Sequence, residues 1–93
     1  MFYKASEPHG LPHNPFNGLI IPRPIGWISS MDKDSNVNLA PYSFFNGVSY
    51  FPPQVMFSST GPHAQHDGPK DSIRNILETG EFVHNIATWP LRE

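Results

Sequence analysis

The 93-residue sequence has no cysteine, which rules out disulfides and thiolate zinc sites and fits the reducing cytoplasm expected for it. Charge is also scarce. Six Lys and Arg against eight Asp and Glu leave a net charge of −2, with no basic run anywhere. The electrostatic footprint of a nucleic-acid partner is therefore missing. No apolar stretch approaches the roughly 20 residues that span a bilayer. Residues 1–9 have no apolar h-region, so they do not read as a secretory signal. No Gly-x-Ser-x-Gly elbow and no Walker or Rossmann glycine pattern occurs, and no acid, base or nucleophile is assigned. Proline and glycine, by contrast, are plentiful, at 11 and 7. They predict short elements joined by rigid loops and argue against a helical bundle. The length allows one small domain with a marginal core.

Taken in order, residues 1–17 read as an extended arm, because Pro8, Pro12 and Pro15 exclude a regular helix. From Gly18 the chain turns apolar. Residues 24–30 read as a strand, preceded by a less regular strand or turn. Pro22 and Pro24 remove ladder donors, which places this start at a sheet edge or bulge. Gly26 marks a close approach by another backbone or a ligand. The polar stretch 31–36 is a hairpin loop, and 37–42 is the second arm of the hairpin. Residues 43–53 form an aromatic-rich connection with room for one helical turn. Residues 54–59 alternate as a strand, with Val55 and Phe57 on one face. A helix over 72–79 follows, capped by Asp71 or Ser72 and closed by Gly80, with Ile73, Ile76 and Leu77 as its apolar stripe. Residues 81–87 read as a last strand. The fold class is mainly β with one helix, and the open sheet leaves edges to manage.

Three places invite a functional reading. The segment 37–46 carries no charge and combines the amides and hydroxyl of Asn38, Ser43 and Asn46 with the rings of Tyr42, Phe44 and Phe45. That mixture suits a planar, heteroatom-rich ligand such as a flavin ring, and equally a strand end with aromatics in the core. Lys70, Asp71 and Ser72 open the helix, where backbone N–H groups, a hydroxyl and an ammonium make a phosphate seat; the same residues also serve as a plain cap. His63 and His66 with Asp67 resemble a loose cation site without diagnostic spacing, and no metal is assigned.

Three segments, taken together, resemble the flavin reductase-like family: Pro22-Arg23-Pro24-Ile25-Gly26-Trp27-Ile28-Ser29; Asn38-Leu39-Ala40-Pro41-Tyr42-Ser43-Phe44-Phe45-Asn46; and Lys70-Asp71-Ser72 with Asn75-Ile76 and Glu78-Thr79-Gly80-Glu81-Phe82-Val83. Their order and spacing match over residues 18–88. The resemblance implies an FMN-binding split β-barrel that forms a homodimer, with the flavin near the subunit interface. It implies ring and ribityl contacts from Asn38, Leu39, Ala40, Pro41, Tyr42 and Ser43 and from Phe57, Ser58 and Ser59. It places the phosphate near Lys70, Asp71 and Ser72. The implied activity is hydride transfer from NAD(P)H to flavin, with FMN as cofactor and FAD as the alternative. A flavin carrier without nicotinamide turnover and a truncated, non-catalytic fragment are the competing expectations. Family members run to roughly twice this length, the usual size of one complete β-barrel domain. Residues 18–93 are accordingly expected to be the N-terminal part of such a domain, an incomplete barrel behind the 1–17 arm.

Overall fold

The computed structural model describes residues 2–62 and 67–92. A one-turn helix α1 (Phe16–Leu19) leads into β1 (Gly26–Met31) and β2 (Val37–Tyr42). A second hairpin follows, β3 (Phe45–Tyr50) and β4 (Pro53–Phe57), then helix α2 (Asp71–Thr79) and the short strand β5 (Val83–Asn85). A single 3-10 turn, Trp89–Leu91, comes last. The strands make two sheets that do not close into a barrel: β2-β1-β5 and β3-β4.

β1 sits in the middle of its sheet, antiparallel to both neighbours, with Ile28 opposite Ala40 on one side and His84 on the other. Pro22 and Pro24 predict a sheet edge or bulge, whereas the strand that follows them is central. They lie ahead of the first paired residue, Gly26, so their missing N–H groups cost the ladder nothing. Strand alternation turns Gly26, Ile28 and Ser30 inward, and Ile28 is completely buried. Gly26 does receive a close neighbour, and it is the Phe45 ring: a Cβ at Gly26 would lie 2.7 Å from Phe45 Cγ. That ring in turn stacks, tilted, on His84 at 4.6 Å. Tyr42, Phe57 and Phe82 extend the aromatic contact, with centroids 4.6 Å and 5.1 Å apart in turn.

The β1–β2 loop is built by Asp32, whose carboxylate accepts from the Asp34 and Asn36 N–H groups and from Asn36 Nδ2, each at 2.9 Å. These donors, the Asn36 side chain first, hold the Asp32 carboxyl below its ordinary pKa. Ser35 takes a positive φ of 67° to complete the turn.

Helix α2 begins one residue earlier than its pattern indicates. Its N-cap is Lys70, with no side-chain cap bond, so neither Asp71 nor Ser72 caps it. Gly80 closes it as expected, in the left-handed region at φ 78°, with its N–H on Ile76 O at 2.8 Å. The buried face only partly follows the apolar stripe: Ile73 and Ile76 are half-buried, and the most buried positions are polar. Leu77 is 78% exposed, while Ser72 and Asn75 are buried at 1% and 3% exposure. They are matched by polar partners: Asn38 Nδ2 donates to Ser72 Oγ at 2.6 Å, and Asn75 Nδ2 donates to Ser30 Oγ at 3.3 Å. The helix therefore docks on the sheet through hydrogen bonds between side chains, which suits polar groups taken out of water.

The connection 43–53 contains a full strand, β3, where one helical turn was allowed. Its register with β4 shifts between Gly47 and Ser49. β5 is shorter than 81–87, and β4 ends at Phe57. Among the described residues, the buried apolar side chains are Ile28 and Tyr42 alone, and no helix is long and apolar enough to cross a membrane.

Candidate functional site

β2 is an edge strand, and the candidate residues fall at its two ends. At one end, Asn38 reaches α2 through its bond to Ser72, joining positions 34 apart in sequence. Lys70 lies beside them as the N-cap residue, half-buried, and Asp71 begins the helix, its carboxylate 3.0 Å from Arg74 Nη2. A polar cleft of about 180 Å³ opens here between the β1–β2 loop and α2, lined by Asp32, Asn36, Asn38, Asp71, Arg74 and Asn75. Asn75 Oδ1, buried, has no partner.

At the other end, Ser43 leaves β2 and faces a cleft of about 330 Å³ that it shares with Ser58, Phe44, Phe45, Asn46 and Met56. The Ser58 N–H donates to Phe44 O at 2.8 Å, which ties the end of β4 to the end of β2. Ser59 follows, half-buried. Asn38 and Ser43 are five residues apart, about 17 Å along an extended strand.

The twelve candidate residues do not form one surface. Tyr42 and Phe57 pack on each other, so these rings are engaged inside the protein. Ala40 is half-buried between Leu39 and Pro41, which are exposed. Pro41 borders a separate apolar cleft of about 480 Å³ with Trp27, Ile25 and Trp89. What the fold does join is Asn38 with Ser72, by a hydrogen bond, while Ser43 and Ser58 line one cleft. His63 and His66 lie outside the described residues, and no group of three or more His, Asp or Glu among those described could hold a metal ion.

Sequence reasoning passed over Arg23. It lines the Ser43–Ser58 cleft, spends Nη1 on Asn17 O and Ile20 O at 2.9 and 3.0 Å, and lies 5.0 Å over the Phe44 ring. Its Nε is buried without a partner. The available signal was that Arg23 is the one cation between Lys4 and Lys33, set between two prolines.

These groups suit a long ligand with an anionic end and a planar, acceptor-rich end. Hydroxyls and a guanidinium border one cleft, and an ammonium and a helix start without a side-chain cap stand at the other end of β2.

Comparison with known proteins bears on the same stretch. The model of the flavin reductase like domain matches residues 18–91. An uncharacterized protein of Aquifex aeolicus is 45% identical over 71 residues, covering 76% of this chain and 35% of its own length. The uncharacterized protein YwrF of Bacillus subtilis is 38% identical over 71 residues, covering 76% of this chain and 33% of its own. Among solved structures, nitrilotriacetate monooxygenase component B from Bacillus cereus superposes with a TM-score of 0.68 at 29% identity, covering 96% of this chain and 43% of that one. The chain thus spans about a third of the length of the curated relatives it matches.

Proposed function

The chain belongs to the flavin reductase-like domain family, and on that premise we propose that it binds FMN along β2, in the service of NAD(P)H-dependent flavin reduction. The observation that carries this reading is the pairing of distant segments at the two ends of one edge strand. Asn38 meets Ser72 at the start of α2, and Ser43 and Ser58 line one cleft beyond the other end, where the Ser58 N–H bonds Phe44 O.

In this reading the phosphate lies at Lys70, Asp71 and Ser72, with Lys70 and the helix start facing it and the buried Ser72 hydroxyl fixing that start from behind. The α2 N-terminus supplies partial positive charge and Lys70 a full one, while Arg74 offsets the Asp71 carboxylate. Asn38 sets the position of that helix start through Ser72. Leu39, Ala40 and Pro41 supply the strand along which the ribityl chain lies, with Tyr42 and Phe57 as the packed support beneath it. Ser43, Ser58 and Ser59 present hydroxyls to the ring. A flavin held there would supply the hydride-accepting chemistry toward a nicotinamide, and the protein's part would be to orient the ring and shield it from water. FAD is the alternative cofactor. The homodimer belongs to the same reading, and the exposed apolar residues of β3 and β4 are available to such an interface. So does the division of the chain into an arm at 1–17 and a partial domain from residue 18.

A flavin titration tests the proposal. Mixing the purified chain with FMN is expected to give a yellow complex with altered ring fluorescence, and anaerobic NADH or NADPH is expected to bleach it. A complex inert to both nicotinamides would leave a flavin carrier without the hydride step. Protein that takes up neither FMN nor riboflavin would overturn the reading.

A further inference from the structure

Arg23 is the group in this molecule whose chemistry is least accounted for by its own neighbours. Its charge meets no carboxylate among the described residues. Nη1 is matched by two carbonyl oxygens at the end of α1, and the Phe44 ring covers one face of the guanidinium. Nε is buried with no acceptor at all. An Arg held this way presents a fixed planar fork whose remaining donors need acceptor atoms.

The cleft beside it is furnished to match. Ser43, Ser58 and Asn46 contribute polar groups, and Phe44, Phe45 and Met56 contribute apolar wall. A purely apolar ring end would find a better place in the larger cleft by Trp27 and Trp89. A ligand edge rich in carbonyl oxygens and ring nitrogens fits here, because each such atom can take an N–H or O–H that the protein leaves unmatched. The cleft also lies beyond the Ser43 end of β2, away from the Lys70 end assigned to phosphate.

We propose that Arg23, with Ser43 and Ser58, seats the pyrimidine edge of the flavin ring and that its charge raises the reduction potential of the bound flavin. This rests on the flavin reading above. When hydride leaves a nicotinamide, its two electrons and proton become the N–H bond at flavin N5. The negative charge it brings spreads over the pyrimidine end of the ring. A guanidinium at that end stabilises the reduced, anionic ring over the oxidised, neutral one, and so favours reduction.

The test compares Arg23→Gln and Arg23→Lys with the parent chain, using FMN and riboflavin as ligands and a redox dye to read the midpoint potential. Arg23→Gln is expected to weaken both ligands by the same factor, about tenfold or more, because the lost contact is to the ring, and to make the potential more negative. Arg23→Lys keeps the charge and loses the fork, so affinity falls while the potential stays near that of the parent. Circular dichroism accompanies each variant, since Arg23 also holds the end of α1. Unchanged ring affinity and potential in Arg23→Gln would overturn the proposal and leave Arg23 as a clamp on α1. A drop for FMN alone would overturn it too, by placing Arg23 at the phosphate. A parent chain that binds no flavin would instead bring down the reading on which the proposal rests.

Discussion

At the scale of single residues, Gly26 and Asn38 carry consequences that can be measured. The Phe45 ring occupies the space where a Gly26 side chain would begin, with Cγ at 2.7 Å. Gly26→Ala must push that ring off His84, so a loss of about 1–3 kcal/mol is expected, typical of overpacking. Chemical unfolding of Gly26→Ala beside Gly26→Ala/Phe45→Leu checks it: the smaller side chain at position 45 should recover part of the loss. Asn38→Leu leaves the buried Ser72 hydroxyl without its donor, at a cost of about 1–3 kcal/mol. Adding Ser72→Ala to Asn38→Leu should cost less than the two single changes summed, because no orphaned partner remains. Simple additivity would show that the bond contributes nothing.

Asp32 gives a pH signature at the same scale. Its folded pKa lies below the ordinary 3.8, so the loop contacts favour folding above the unfolded pKa and lose that contribution as pH falls through the folded value. The carboxylate is half-buried in a loop open to solvent, so the effect is small. Asp32→Ala is expected to be less stable than the parent at neutral pH and to converge with it in acid below the folded pKa, in parallel urea titrations. A gap independent of pH would assign the loss to the turn geometry alone.

Among the elements, β1, β2 and α2 were legible because each carries a local signal: alternation, a polar turn between two β-like runs, and a glycine at the helix end. β3 was not. Phe45-Asn46-Gly47-Val48-Ser49-Tyr50 contains an Asn-Gly pair that elsewhere signals a turn, and most of the strand is exposed, so no two-residue alternation marks it. The central place of β1 was hidden because prolines report on their own residues and not on where pairing starts. The face of α2 was misjudged because periodicity selects the apolar stripe, whereas this helix meets the sheet through Ser72 and Asn75. The candidate site was legible as separate segments. The meeting of Asn38 with Ser72 depends on how α2 lies on the sheet, and the accounting at Arg23 depends on carbonyls from α1; neither follows from spacing. The β3–β4 hairpin, a sheet of its own, also makes a forecast. Its strand partners are each other, and its tip residues Tyr50 and Phe51 are 91% and 88% exposed. Hydrogen exchange should find the β3–β4 amides opening well before those of β1, which is flanked on both sides and covered by α2. Equal protection in the two sheets would mean the hairpin is held by contacts outside this fold.

For the whole molecule, the radius of gyration is 16.3 Å, against about 12 Å for a compact chain of this length. Two open sheets and the mostly exposed segment ahead of α1 both fit that larger value. Beside the strand ladders and the ring contacts of Tyr42, Phe57 and Phe82, the packing rests on a seam of amides and hydroxyls: Asn38 on Ser72, Asn75 on Ser30, and Asn85 on Ser29 at 3.0 Å. That seam has a calorimetric consequence. With Ile28 and Tyr42 the buried apolar side chains among the described residues, unfolding would newly hydrate less apolar surface than usual, and apolar and polar hydration change the heat capacity in opposite directions. In dilute solution the chain should therefore unfold with a heat-capacity increment well under the roughly 1.2 kcal/mol/K typical of a globular domain of this length, and with a correspondingly shallow dependence on urea. A scanning experiment that returned the full globular value would mean that the chain buries its exposed rings against something before it melts. Otherwise its stability curve is nearly flat with temperature, and cooling weakens it less than it would a protein held by an oily core.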